Sequence, residues 1–133
     1  MSESNVAIVR GLFEAFESGD ATGLVDPLSP DLVFHVREDE PDAGAHEGLE
    51  AVTGLLASWL ETFPDLKLER VAYRDEDDWV IASFLLRGRG GASGAEVAEP
   101  YSWALCLEAG KVVEVREFRT AEHARAAIAE LRG

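Results

Sequence analysis

Residues 97–119 read VAEPYSWALCLEAGKVVEVREFR, and this stretch decides the fold. Apolar and polar residues alternate through most of it, which is typical of β-strands that bury one face. Ala109 and Gly110 interrupt the alternation at a point that suits a tight turn. The stretch therefore predicts a hairpin of two antiparallel strands, residues 97–108 and 111–119.

The strand pattern continues upstream of this hairpin. Residues 66–73 alternate in the same way, and the acidic residues 74–78 suit a turn. Residues 79–87 form a long apolar strand, and the Gly-rich residues 88–94 connect it to the hairpin. The second half of the chain is thus predicted to be a run of long antiparallel strands.

Helical patterns occupy the first half and the end of the chain. Residues 6–18 and 49–63 each carry an apolar stripe at helical spacing, and Pro64 is predicted to end the second of these helices. An Ala-rich helix over 121–131, capped by Thr120, closes the chain. The remaining predictions are a short helix at 20–25, a brief strand at 31–36 and a polar loop at 37–47.

This order of elements predicts an α+β fold, because helices and strands are segregated along the chain. We expect a strongly curved mixed or antiparallel sheet, with three to four helices packed on its concave side. Residues 1–133 contain no linker or repeat, so we expect a single domain.

Composition narrows the classes of function. Twenty-six acidic residues against 12 basic ones give a net charge of −14, and so acidic a surface repels phosphate backbones, which argues against nucleic-acid binding. No apolar run is long enough to cross a membrane, and the N-terminal residues lack the pattern of a signal peptide. The lone Cys106 excludes an internal disulfide. We therefore expect a cytoplasmic protein that binds neither membrane nor nucleic acid.

Short motifs in a characteristic order add a family resemblance. They are ESGD at 17–20, PDLVF at 30–34, EGLEAV at 47–52, FPDL at 63–66 and AGKVVEVREF at 109–118. Together they resemble SnoaL-like proteins of the nuclear-transport-factor-2-like superfamily over residues 5–131. The resemblance implies a cone-shaped domain whose sheet wraps an apolar pocket, usually in a homodimer. The family includes polyketide cyclases, ketosteroid isomerases, epoxide hydrolases and non-catalytic binders, so it implies a small apolar ligand and cofactor-free chemistry.

Glu117 is the first candidate for a catalytic residue. Alternation places it on one strand face with Val113, Val115 and Arg119, and the tripeptide containing it resembles the Arg-Asp-aromatic pattern of the epoxide-hydrolase-like relatives, with Glu for Asp. A carboxyl group that faces an apolar cavity has a raised pKa, which suits acid/base work near neutral pH. The alternative is a glutamate at a sheet edge or interface that pairs with an arginine.

His35 and Tyr101 are candidate partners of that acid. Either could polarise a carbonyl oxygen of a ligand. His35 shares a strand face with Val33, while Phe34 and Val36 lie on the other face, and alternation leaves open which face is inside. A purely structural or exposed histidine is the alternative.

Aromatic side chains could line the pocket or simply fill the core. Tyr101 and Trp103 share a strand face with Leu105 and Leu107, while Cys106 lies on the opposite face. The candidate substrate-binding residues are Phe13, Phe16, Trp59, Phe63, Trp103 and Arg119. Residues 35–46 are dense in His, Asp and Glu but have no recognised ligand spacing, so we predict no metal site.

The sequence thus favours a protein that binds a small apolar molecule and performs cofactor-free acid/base chemistry such as cyclisation, isomerisation or hydrolysis. A non-catalytic ligand-binding or dimerisation module is the alternative.

Overall fold

The computed structural model describes the backbone of residues 2–63, 65–89 and 96–133, with side chains for all of these except residues 2, 3 and 21. Pro64 and most of the predicted connection at 88–94 lie outside the described residues. The elements are α1 (Ser2–Ser18), α2 (Ala21–Val25), β1 (Leu28–Val36), β2 (Gly44–Glu47), α3 (Leu49–Thr62), β3 (Lys67–Glu76), β4 (Trp79–Arg89), β5 (Glu96–Glu108), β6 (Lys111–Phe118) and α4 (Ala121–Leu131).

The six strands form one curved mixed sheet in the order β2-β1-β6-β5-β4-β3. β1 runs parallel to β6, and every other neighbouring pair is antiparallel. The predicted hairpin is β5–β6, and its turn residues Ala109 and Gly110 both have positive φ, at 52° and 79°. Two consecutive left-handed residues match the twist of the flanking strands and so close the hairpin tightly. The predicted α+β class is confirmed.

The helices divide between the two faces of the sheet: Leu24 of α2 packs with the cluster under α1 and α3, so three helices share one face, within the predicted three to four, and α4 lies on the other. α1 and α3 cover one face, where the larger cluster of buried apolar residues lies. α4 packs on the opposite face, where Ala124 and Ile128 contact Trp79, Ile81 and other outward residues of β4 and β5. Those strands bury both faces, so each face needs its own helical cover.

A β-bulge changes the predicted face of one residue on β6. Cys106 pairs with Glu114, and the next residue, Leu107, pairs with Val112, so Val113 is the extra residue. Val113 consequently packs in the α4 cluster, whereas Val112 and Val115 face α1 and α3. The prediction that Val113 shares a face with Val115 is wrong for this reason.

The beginning of the sheet also differs from the prediction. β1 starts at Leu28 and runs through Pro30, which lies in the stretch where β1 is in register with neither neighbour. Pro30 has no N–H to donate, and there it needs none. The predicted loop at 37–47 ends in the short edge strand β2, which pairs with β1.

None of the helices among the described residues is long and apolar enough to cross a membrane.

Candidate active site and ligand-binding cavity

A cavity of about 740 Å³ lies between α1, α3 and the sheet face that they cover. Its wall is mainly apolar, and a volume of this size accommodates a drug-sized molecule. Eight of the nine residues predicted to act in a site lie in the wall: Phe13, Phe16, Trp59, Phe63, Tyr101, Trp103, Glu117 and Arg119. The pocket hypothesis requires an open interior, and the cavity provides one.

Trp103 of β5 is the centre of the aromatic wall. Its ring centroid lies 5.1 Å from those of Phe34 and Phe84 and 5.7 Å from that of Phe13. The ring centroid of Trp59 of α3 lies 6.3 Å away. The contacts with Phe34 and Phe84 are edge-to-face, an arrangement that aromatic pairs favour, and those with Phe13 and Trp59 are tilted. The wall is thus a rigid surface against which a flat molecule can stack.

Glu117 of β6 places a carboxylate in this apolar wall. The residue is only 7% exposed. Trp103 donates its indole Nε1–H to Oε2 at 2.9 Å, and the backbone N–H of Arg37 donates to Oε1 at 3.4 Å. Burial raises the pKa of Glu117, and the two N–H donors oppose that rise. The result is a carboxyl group that can hold or release a proton closer to neutral pH than an ordinary glutamate.

Arg37, Glu40 and Tyr101 form a polar cluster beside Glu117. Tyr101 donates its hydroxyl proton to Oε1 of Glu40 at 2.9 Å, and Arg37 donates to the same oxygen at 2.6 Å. The guanidinium of Arg37 also stacks on the Tyr101 ring, 4.7 Å from its centroid. Burial, followed by the bond to Glu40, raises the pKa of Tyr101. The phenol is therefore neutral, and its proton is already engaged.

The loop that follows β1 forms one rim of the cavity. Asp39 binds both Arg37 and Arg119, and Asp42 accepts the indole N–H of Trp59 at 3.1 Å. The acids of this segment are thus tied to side chains of β5, α3 and the end of β6. Sequence reasoning considered these acids as solvated or metal-binding and missed Arg37. Their contacts depend on the course of the loop after β1, which alternation along the strand does not report.

The comparison with family models decides the family. The model of the SnoaL-like domain matches residues 9–115, most of the chain. The chain belongs to the SnoaL-like domain family. The match ends two residues before Glu117, so the role of this acid rests on its own geometry.

Solved structures share the fold of this chain. One is a protein of unknown function with a cystatin-like fold from Xanthomonas campestris, which is 26% identical over 92% of this chain and 95% of that chain, with a TM-score of 0.78. Bal32a, from a soil-derived mobile gene cassette, is 23% identical over 93% and 95%, with a TM-score of 0.82. A candidate polyketide cyclase from Xanthomonas campestris pv. campestris is 17% identical over 93% and 96%, with a TM-score of 0.77. The comparison with curated proteins gave no match.

His35 is the predicted site residue that lies outside the cavity of this SnoaL-like domain. Phe34 and Val36 face the cavity, so His35 points to the other side of β1. There its Nε2 lies 3.4 Å from Oε2 of Glu114, which also binds Arg116. Burial, and then the charge of Arg116, lower the pKa of His35, while Glu114 opposes the change. Glu117 and Tyr101 share the cavity wall, and His35 does not join them.

Proposed function

We propose that this SnoaL-like protein binds a small, largely apolar molecule in its cavity and that Glu117 transfers a proton on that molecule without a cofactor. The observation that carries the proposal is a carboxylate that is 7% exposed in an apolar wall and whose hydrogen-bond donors are an indole and a backbone amide. A buried carboxylate with no cationic partner is costly for stability. It is also well suited to act as a general base, because its pKa is raised.

The position of Glu117 argues against a purely structural ion pair. β6 lies between β1 and β5, so Glu117 is not on a sheet edge. No salt bridge to Glu117 occurs within the described parts of the chain; its hydrogen bond with Arg37 is through the main chain, and the Arg37 charge opposes the rise of its pKa without a direct bond. Each carboxylate oxygen accepts one N–H and has a second lone pair free for a ligand.

The chemistry needs only the residues in the wall. Glu117 as carboxylate removes a proton from an acidic C–H or O–H of the ligand, and the protonated acid returns it to another atom. In an isomerisation or a cyclisation, the proton that Glu117 removes is the proton that it returns. The net reaction therefore needs no oxidant or reductant. Trp103 keeps one oxygen of Glu117 in place, and the aromatic wall holds the ligand. Tyr101 already donates its proton to Glu40, which favours a positioning role for it over that of a carbonyl donor.

Hydrogen–deuterium exchange tests the proposal without knowledge of the natural substrate. 2-Tetralone, a flat ketone with acidic α-hydrogens, is incubated with the protein in D₂O and followed by NMR. We expect exchange above the buffer rate, reduced by on the order of 10²-fold in Glu117→Gln. Glu108→Gln is the matched control, because it removes the same charge from an exposed site at the end of β5. Equal exchange by wild type and Glu117→Gln would remove Glu117 from the mechanism.

One observation favours a non-catalytic ligand-binding module as the second candidate. Both oxygens of Glu117 already accept an N–H, which is the arrangement of a satisfied buried acid. In that case 2-tetralone quenches tryptophan fluorescence through Trp59 and Trp103 but exchanges no faster than in buffer.

The homodimer and the cytoplasmic location stay predictions of the family resemblance and of the composition. Light scattering coupled to size-exclusion chromatography tests the first, and a dimer has twice the chain mass of 14.4 kDa.

A further inference from the structure

Glu117 borders a cluster of charged side chains at the end of β1. Its Oε1 accepts the backbone N–H of Arg37 at 3.4 Å, and the side chain of Arg37 binds Glu40 at 2.6 Å and Asp39 at 3.0 Å. Oε1 of Glu40 also accepts the hydroxyl proton of Tyr101 at 2.9 Å. A guanidinium and a carboxylate are thereby held close to Glu117, although neither side chain is bonded to it in the described parts of the chain.

The pair of Arg37 and Glu40 is largely withdrawn from water. The side chain of Arg37 is 7% exposed and that of Glu40 is 23% exposed. The guanidinium stacks on the Tyr101 ring, and its Nη1 is buried with no hydrogen-bond partner among the described residues. Charges that are buried or partly buried are screened much less than exposed ones. Each member of the pair can therefore act on the buried carboxyl group of Glu117 without touching it.

The other ionisable groups around Glu117 are placed less favourably. In the cavity wall they are Asp39, Asp42, Glu99, Tyr101 and Arg119, and α1 and α3 contribute none. A second depression that includes Glu117 adds His35, Glu38, Arg116 and His123. The acids among them are exposed, and Asp39 and Arg119 bind each other. The charges that act on Glu117 are those of Arg37, which lowers its pKa, and Glu40, which raises it.

We infer that Arg37 and Glu40 are an opposed pair that sets the proton affinity of Glu117, with the cation favouring the carboxylate and the anion favouring the protonated acid. Both act through Glu117, which makes them positioning residues, and their role rests on the proposed function of Glu117 as the proton-transferring group. Without Glu40, the guanidinium would hold Glu117 as a carboxylate and weaken it as a base. Without Arg37, burial and Glu40 would hold the proton. The pair thus keeps Glu117 able both to take and to release a proton.

The size of the effect follows from Coulomb's law. Unit charges about 10 Å apart, at an effective dielectric constant of about 20, change a dissociation constant by on the order of tenfold. Removal of either charge should therefore change the proton dissociation constant of Glu117 by on the order of tenfold. The titration midpoint should move to lower pH in Glu40→Gln and to higher pH in Arg37→Met. In the double variant the two changes should cancel to within about threefold.

The indole N–H of Trp103 reports the protonation of Glu117, because it donates to Oε2 at 2.9 Å. The chain has three tryptophans, so ¹⁵N-labelled protein gives three indole resonances, and Trp103→Phe identifies the one that is needed. Its position is followed by NMR from pH 4 to pH 9 with no ligand present. Glu117→Gln should abolish the titration, which assigns the midpoint to Glu117.

The substitutions leave the hydrogen bonds of Glu117 in place. Glu40→Gln keeps an oxygen for its two donors, and the donor from residue 37 is a backbone N–H that no side-chain change removes. Arg37→Lys keeps the charge and should leave the midpoint within about threefold of wild type. Glu38→Gln and Arg89→Met are the matched controls, because they remove the same charges from exposed side chains that are not bound to the cluster. Circular dichroism confirms that the variants are folded, and Glu40→Gln suffices for the test if Arg37→Met does not fold.

A midpoint that stays in place or rises in Glu40→Gln, or that moves equally in Glu38→Gln, would overturn the role of the pair. The pH profile of 2-tetralone exchange separates that role from the proposed function, since its acid limb should move with the midpoint in each variant. Exchange with a midpoint that does not move in Glu40→Gln would leave the proposed function standing and remove the tuning. A midpoint that moves as expected in a protein that does not exchange 2-tetralone would leave the tuning standing and remove the proposed function.

Discussion

Replacement of Glu117 by Gln should cost the protein more stability at low pH than at high pH. Oε2 of Glu117 accepts the indole N–H of Trp103 at 2.9 Å, and Oε1 accepts the weaker bond from the backbone of Arg37 at 3.4 Å. A glutamine keeps its oxygen towards Trp103 and turns its NH₂ group towards the Arg37 N–H. The lost acceptor costs about 1 kcal/mol in the free energy of unfolding.

The pH dependence comes from the raised pKa of Glu117. Below its ordinary value of 4.5 the carboxyl group is protonated in both the native and the unfolded state and makes no difference. As the pH rises past that value, the unfolded chain releases the proton while the native state retains it. Wild type therefore loses stability until the pH passes the raised native pKa, and the loss is constant above it. Each unit of pKa shift corresponds to about 1.4 kcal/mol.

Gln does not titrate, so the variant escapes this loss. We expect Glu117→Gln to be about 1 kcal/mol less stable than wild type at pH 4, from the lost hydrogen bond. As the pH rises to 8, the stability of the variant relative to wild type should increase, by an amount set by how far the native pKa of Glu117 is raised. Urea unfolding followed by circular dichroism at pH 4.0, 5.5, 7.0 and 8.5 measures the difference, with Glu108→Gln as the control for net charge. A wild type that gains stability over Glu117→Gln as the pH rises would refute the reasoning, because it would mean that the fold stabilises the carboxylate.

Two further predictions concern the opposite face of the sheet. Burial raises the pKa of Cys106 to about 11, so at pH 8 its thiol should react with a disulfide reagent far more slowly in the native protein than in urea; equal rates would contradict the burial. Ile128→Ala should cost about 2–5 kcal/mol in the free energy of unfolding, because Ile128 lies on the buried face of α4 and is 2% exposed. Leu131 of the same helix is 51% exposed, so Leu131→Ala should cost little. Since α4 lies away from the cavity, neither substitution should change the affinity for 2-tetralone, and a loss of affinity in Ile128→Ala would contradict the separation of the two faces.

The sequence was sufficient to predict elements whose signals are local. The hairpin β5–β6 follows from alternation and from a turn of two residues with positive φ, and α4 follows from its composition and the cap at Thr120, whose side chain accepts the N–H of His123. Alternation also separated the two faces of β5 correctly, since Trp103 and Leu105 lie in one cluster and Cys106 in the other.

Features that depend on the partner strand or on the packing of whole elements were not predictable in this way. The bulge at Val113 is set by how β6 pairs with β5, and alternation along one strand cannot report it. β2 is a mostly exposed edge strand with no apolar period. The apolar stripe of α4 indicates that the helix covers something, but not which face of the sheet it covers. Arg37 follows Val36 beyond the end of β1, where alternation no longer applies, so its contact with Tyr101 depends on the course of the loop.

Two features at the cavity are costly for stability. The scaffold around them is locally consistent, with paired strands, side-chain caps on α2 and α4 and an apolar cluster on each sheet face. Glu117, by contrast, is a carboxylate on a central strand with no cationic side chain bound to it in the described parts of the chain, and the space beside it is left open. Both features lower stability, since an apolar residue at 117 would remove the desolvation penalty and could fill part of the cavity. A sequence selected for stability alone has no reason to keep them, whereas a site that binds a ligand and moves a proton requires both.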